Sequence, residues 1–325
     1  MKYNLYYLTW NVTNECNLRC KHCYASAGLQ EKMELSKDEA LALIDDALTL
    51  GLKYMLFTGG EPLLRKDLFE IIEYAYEKGI TVFMATNGLL ISDFNIEKIK
   101  KYISKVNVSL DYATSEKHDE FRGVEGAFDK ANEAIKILIR NEVKVSVSMT
   151  VCNQNIDDVE KVVKICANYG VNLTIKRLIS VGRSAANNLY FSANEYSKLK
   201  KIIAKNKTRC KVLFKDPIYA CEMIDFDKTK LSGCLAGIGI LSVTATGEVL
   251  PCTKIEYSLG NIKNSNLSDI WDNSKELKKL REREIMGRCQ ECKELKVCGG
   301  CRAAAYKQYD SLYAEDPLCG EIKNG

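Results

Sequence analysis

From residue 5 to about 180 the chain alternates two apolar patterns. Short runs, YYLTWNV, YMLFTGG, GITVFMATNG, KVNVSLD, VKVSVSMTV and VNLTIKRLIS, are bounded by Gly, Asn, Asp or charged residues and predict strands. Between them SKDEALALIDDALTLG, RKDLFEIIEYAYEKG, NIEKIKKYIS, EGAFDKANEAIKILIRN and IDDVEKVVKICANYG place apolar residues at helical spacing. Ser36 and Asp157 suit helix N-caps, and Gly51, Gly79 and Gly170 suit the C-terminal ends. Six β units separated by five helices, with a sixth helix in ANEYSKLKKIIAKN, predict an α/β fold with a mostly parallel sheet and helices outside it. Ligands of such a sheet sit at the C-terminal ends of its strands.

Beyond about residue 210 the rhythm changes. IGILSVTATGEVLPC predicts a β-hairpin turning at Thr246 and Gly247, and LSDIWDNSKELKKLRERE predicts one helix. Seven of the 14 cysteines lie between Cys234 and Cys319. The division this suggests is 1–209 for the α/β unit and 210–325 for a cysteine-rich module whose short apolar runs call for a metal to complete its core.

Composition narrows the function. A net charge of +4 from 47 basic and 43 acidic residues, with no long run of one sign, argues against nucleic-acid or membrane-surface binding. The N-terminus lacks a secretory pattern and no window reaches 18 apolar residues, so a cytoplasmic protein is expected. Reducing conditions there turn 14 cysteines from a disulfide framework into metal or redox chemistry.

The loop after the first strand reads CNLRCKHCYA. Four thiolates close a tetrahedral site, whereas Cys16, Cys20 and Cys23 leave one coordination position open. A zinc site with a remote ligand, or buried thiols, are the alternatives. One strand later FTGGEP offers Gly59 and Gly60 for close backbone approach and Glu61 as an acceptor for an ammonium group. The C-terminal pairs Cys289–Cys292 and Cys298–Cys301 are CxxC elements that also suit a zinc knuckle. Seven thiolates nearly fill two centres.

CxxxCxxC followed by GGEP resembles the radical S-adenosylmethionine (SAM) enzymes, over residues 8 to about 180. The resemblance implies a partial (β/α)6 TIM-like barrel, a [4Fe–4S] cluster on Cys16, Cys20 and Cys23, and SAM chelated to the open iron and cleaved to a 5′-deoxyadenosyl radical. It implies that His22 brings backbone near the adenine, that Gly59, Gly60 and Glu61 receive the SAM amino group, that Asn87 and Ser109 are polar contacts, and that Arg122 pairs with the SAM carboxylate. His118 is expected on the solvated side of its loop. Asp111, Asp216 and Glu222 are acidic candidates for which surface solvation is expected.

The later cysteines resemble the SPASM extension of that family, which binds two auxiliary [4Fe–4S] clusters. By that resemblance Cys289, Cys292, Cys298 and Cys319 hold the outer cluster and Cys234, Cys252 and Cys301 the inner one, whose fourth position is either filled by Cys221 or left open to substrate or another ligand. The interval Cys298 to Cys301 is CxxC where the common pattern has CxxxC. Cys152, Cys166 and Cys210 are expected to be inert thiols. The implied activity is oxidative maturation of a ribosomal peptide or protein, with flavodoxin or ferredoxin as electron donor and a separate leader-peptide-binding protein. WNVTNECNLRCKHCYASAG and FRGVEGAFDKANEAI also resemble haem-pathway enzymes that modify tetrapyrrole side chains. A non-catalytic iron–sulfur or zinc scaffold is the reading from another class.

Overall fold

The structure, a computed structural model, describes residues 3–28, 33–206, 209–222 and 233–324. The first half runs β1 (Tyr7–Asn11), α1 (Lys37–Thr49), β2 (Tyr54–Thr58), α2 (Leu68–Glu77), β3 (Thr81–Thr86), α3 (Ile96–Tyr102), β4 (Lys105–Ser109), α4 (Ser115–Arg122), α5 (Ala127–Arg140), β5 (Val145–Val151), α6 (Val159–Tyr169) and β6 (Asn172–Arg177). There follow α7 (Arg183–Ala186), α8 (Ala193–Lys205), β7 (Val212–Phe214), α9 (Pro217–Glu222), β8 (Ile240–Val243), β9 (Glu248–Leu250) and β10 (Gly260–Asn261). The chain ends with α10 (Leu267–Asn273), α11 (Lys275–Arg281), α12 (Arg302–Tyr309) and α13 (Pro317–Asn324).

The sheet order is β10-β9-β8-β1-β2-β3-β4-β5-β6-β7, and neighbours from β8 to β7 all pair in parallel. The six predicted strands are its centre. β7 and β8, from beyond residue 209, extend it at opposite edges. Side chains alternate along each strand: Trp10, Phe57, Met84, Val108 and Met149 are buried under the helices, while Asn11, Thr58, Ser109, Ser148 and Lys176 occupy the other face. This alternation gives the sheet one dry face and one polar face, and the polar face receives the ligands.

The caps explain where the helices begin. Ser36 and Glu39 form a reciprocal capping box on α1, and Gly170 ends α6 in the left-handed conformation. Asp157 does not cap α6; a short 3₁₀ turn, Ile156–Asp158, leads into it and Asp157 pairs with Lys198 instead. The single helix predicted at 267–284 is two. Ser274 adopts an extended conformation, ends α10 and caps α11 by accepting from the Leu277 N–H.

The cysteine-rich region does not rely on a separate core. Leu241, Val243, Val249, Trp271, Leu277 and Leu280 are buried in the same apolar cluster as Leu8, Trp10 and Phe57. Burial on that scale contributes about 1.5–3 kcal/mol per large apolar side chain. Across the opposite edge, Arg177 at the end of β6 is buried between Asp216, 2.8 Å away, and Asp316, which itself accepts from the Cys301 N–H at 2.8 Å.

Candidate functional site

A cavity opens at the C-terminal ends of the strands. Cys16, Cys20, Cys23 and His22 reach it from the loop after β1, Thr58, Gly59 and Gly60 from the end of β2, Thr86 and Asn87 from β3, and Ser109 from β4. Ser148 and Thr150 of β5, Lys176 and Leu178 around the end of β6, Arg122, Arg183 and Lys254 complete its wall.

The two glycines explain how the cysteine loop packs so tightly. A Cβ on Gly60 would collide with the Glu15 carbonyl oxygen, and one on Gly59, at φ +140°, would meet the Thr13 carbonyl. Backbone bonds from Gly60 N to Thr13 O and from Glu61 N to Glu15 O, both 2.8 Å, fasten the two loops. Glu61 lies behind the wall and faces protein donors. Its carboxylate accepts from Thr86 Oγ1 at 2.8 Å, the Asn87 N–H at 2.8 Å and the Leu63 N–H at 3.2 Å. Burial pushes its pKa up to about 7 against those three bonds.

The three thiols fit an electron-deficient metal cluster. Burial, with repulsion from Cys20, Glu61 and Cys23, pushes the Cys16 thiol up to about 11, and burial raises Cys20 against the pull of Arg122. Deprotonating Cys16 and Cys20 side by side in this setting is favoured by a cationic centre between them. Donors already face the sulfurs: the Leu18 N–H lies 3.4 Å from Cys16 Sγ and Arg122 Nη1 lies 3.7 Å from Cys20 Sγ. Arg183 braces the loop by donating to the Cys20 and Ala27 carbonyls at 3.0 and 2.8 Å. Among the described residues no three Cys, His, Asp or Glu side chains converge as they would on one ion. Cys16, Cys20 and Cys23 all line the one cavity.

Arg122, Asp111 and the two histidines form one buried group. Arg122 pairs with Asp111, and its Nε has no hydrogen-bond partner among the described residues. Asp111, far from being solvated, is wholly buried; despite that burial Arg122, His22 and His118 hold its pKa below the usual carboxylate range. His22 stacks on Phe121 at 4.5 Å and 8°, with Nε2 3.6 Å from Asp111. His118 is not on a solvated side. It is 2 % exposed on α4, and its Nδ1 accepts from the Asp111 N–H at 3.3 Å. Asp216 is likewise buried by its ion pair with Arg177, whereas Glu222 pairs with Lys200 at 2.5 Å near the surface.

The later cysteines gather into two groups. Cys289, Cys292, Cys298 and Cys319 line a second cavity. Cys234 and Cys252 each feel repulsion from Cys301, and burial pushes Cys234 up to about 11. Cys221 does not join this second group: the thiols that act on it are Cys292 and Cys298, because α9 packs toward the other cavity, which Ile218 also lines. Cys152 and Cys166 are buried in apolar surroundings and Cys210 is half-buried. The wall of the first cavity meets the three-cysteine group, since Tyr24 and Lys176 both feel the charge of Cys252.

Sequence reasoning missed Thr86, Lys176, Arg177, Arg183, Lys254 and Asp316. The KR pair of VNLTIKRLIS stood at the end of a predicted parallel strand, which was the available signal for Lys176 and Arg177. Arg183, Lys254 and Asp316 lie outside regular strands and carried none.

A Radical SAM superfamily profile matches residues 10–166, and an iron-sulfur cluster-binding domain profile, SPASM, matches residues 234–293. The AdoMet-dependent heme synthase of Nitratidesulfovibrio vulgaris is 34 % identical, with 96 % of this chain aligned to 91 % of that protein. The chain belongs to the radical SAM superfamily and carries a SPASM domain. This radical SAM chain is also 31 % identical to the mycofactocin maturase MftC of Mycolicibacterium smegmatis, over 97 % of its own length and 82 % of that protein. In fold it is similar to Streptococcus suis SuiB bound to S-adenosylmethionine, with a TM-score of 0.80 at 18 % identity, covering 98 % of this chain and 77 % of that one. Membership brings SAM and iron–sulfur clusters as cofactors. Among the described residues no helix is long and apolar enough to cross a membrane.

Proposed function

We propose that this radical SAM enzyme oxidatively matures a ribosomal peptide or protein, with Cys16, Cys20 and Cys23 as ligands of the core cluster and SAM in the cavity beside them. The observation that carries the reading is one cavity lined by three thiols, two turn glycines and a row of strand-end hydroxyls, whose wall residues Tyr24 and Lys176 feel the charge of Cys252 from the second thiol group. Bound there, a cluster held by Cys16, Cys20 and Cys23 together with SAM would supply hydrogen-atom abstraction chemistry, and auxiliary clusters held by the later cysteines would supply an electron acceptor. Gly59, Gly60, Thr86, Asn87 and Ser109 hold the SAM amino acid and ribose, and the unfilled Arg122 Nε serves its carboxylate. His22 shapes the wall as a neutral ring, since burial lowers its pKa to about 3. Glu61 acts by positioning, because its three donors fix the β2 and β3 turns against each other. Cys289, Cys292, Cys298 and Cys319 hold one auxiliary cluster and Cys234, Cys252 and Cys301 the other. Flavodoxin or ferredoxin would supply the reducing electron, a separate protein would present a leader peptide, and the cytoplasm suits both.

A second reading, side-chain modification of a tetrapyrrole, draws support from the cation-rich wall and the likeness to heme synthase. Anaerobic incubation of reduced enzyme and SAM with the peptide encoded beside its gene, and separately with iron coproporphyrin III, decides between them. The maturase reading expects deoxyadenosine and a peptide lighter by hydrogen. Turnover of the porphyrin alone selects the second reading, and absence of SAM cleavage under strong reductant rejects both.

A further inference from the structure

Four cations line the cavity, and no Asp or Glu among the described residues does. Two of them are engaged: Arg122 with Asp111, and Arg183 with two loop carbonyls. Lys176 and Lys254 are different. Lys254 Nζ reaches only the Arg177 carbonyl, at 3.2 Å, and Lys176 makes no hydrogen bond or ion pair among the described residues. They come from distant parts of the chain, the end of β6 and the loop after β9, and are close enough to repel each other. Among the described residues no carboxylate lines the half-buried wall that holds these two ammonium groups, and although the attraction of Cys252 acts on both, an arriving anion offsets the remaining cost of keeping them together.

The chemistry of the pair selects the anion. Two ammonium groups side by side suit an anion with two oxygens in reach, of which a carboxylate is the smallest, and phosphate is the competing anion that the test below separates from it. We propose that Lys176 and Lys254 together anchor a carboxylate group of the substrate in the cavity that the cysteine loop also lines. The inference rests on the cavity being a radical SAM site and names the chemistry of its second ligand: a carboxylate-bearing molecule, from a peptide or from a tetrapyrrole side chain.

The test uses the full-length, cluster-loaded enzyme with SAM under anaerobic conditions. Lysine acetylation is read residue by residue by mass spectrometry with propionate, propionamide or inorganic phosphate present. Propionate should slow labelling of both Lys176 and Lys254 by about ten-fold when saturating, and propionamide should not. No protection, equal protection by phosphate, or full protection by SAM alone overturns the proposal. The double variant K176Q/K254Q is then compared on acid and methyl-ester forms of iron coproporphyrin III and of the neighbouring peptide. The wild type should prefer the acid form of whichever it accepts, with KM carrying the preference, and the variant should lose that preference by about ten-fold. A variant that keeps the preference but shifts the auxiliary-cluster reduction potential overturns the proposal and assigns the lysines to balancing thiolate charge near Cys252. A wild type that accepts neither compound while propionate still protects overturns the substrate readings and leaves the anchor standing.

Discussion

Cys16, Cys20 and Cys23 share their cavity with the uncharged strand-end residues Thr58, Thr86 and Ser109, whereas Cys289, Cys292, Cys298 and Cys319 share a smaller one with the charged residues Arg288, Glu315 and Asp316. The first region leaves room for a ligand beside its thiols. The second surrounds its thiols with other thiols and buried charge. Both use a glycine to bring backbone against backbone: Gly60 against the Glu15 carbonyl, and Gly233 against the Cys298 carbonyl. The lesson is that similar cysteine spacing can serve opposite ends, and that the neighbours of a thiol group, not its count, decide which.

The sharpest way to break the comparison is to remove one thiol from each region. Cys16→Ala should abolish deoxyadenosine formation, a loss of at least about 1,000-fold, because the open cluster is where SAM is proposed to bind. Cys234→Ala should lower the iron content while SAM cleavage continues and oxidised product disappears. Equal loss of SAM cleavage in both variants, measured by chromatography of the nucleoside, would end the division of labour drawn here.

The next largest effect concerns the tie between the regions. Arg177→Met leaves Asp216 and Asp316 buried without their cation, which should cost about 3–5 kcal/mol in chemical denaturation. The loss should fall first on the cysteine-rich side, since Asp316 also holds the Cys301 N–H. Hydrogen exchange that loosens β1 before residues 301–319 would contradict this.

Acid separates the regions next, because both histidines of the chain lie in the first one. Burial holds His118 near a pKa of about 4. As pH falls through the ordinary value of about 6.5 the unfolded chain takes up a proton that the folded chain refuses. The contribution of His118 to stability therefore declines between about 6.5 and 4 and levels below, by up to about 3 kcal/mol. His118→Gln should flatten that limb of the stability profile measured by urea titration.

The smallest change sharpens the comparison of the glycines. Gly60→Ala and Gly233→Ala should each cost about 1–3 kcal/mol from overpacking, the first reducing SAM affinity and the second sparing it. Calorimetric binding of SAM to the two variants reads the difference.

Much of this molecule was legible in one dimension. The alternation of period-two and helical patterns named the six central strands, and CxxxCxxC with GGEP named the family, because the physical demands of both are local: a pleat, a turn, three thiols on a loop that lines one cavity. Sequence order alone could not say which face of a carboxylate meets solvent. Asp111 and Asp216 looked like surface residues until Arg122 and Arg177, 11 and 39 positions away, were found beside them. The break at Ser274, the siting of Cys221 near Cys298, and the meeting of Lys176 with Lys254 were decided only by packing between distant segments. The sequence determined which elements form and which chemistry the first loop carries, since those follow from neighbours along the chain. The tertiary structure decided which charges are buried, which thiols share a group and which cations line the cavity, since those follow from neighbours in space.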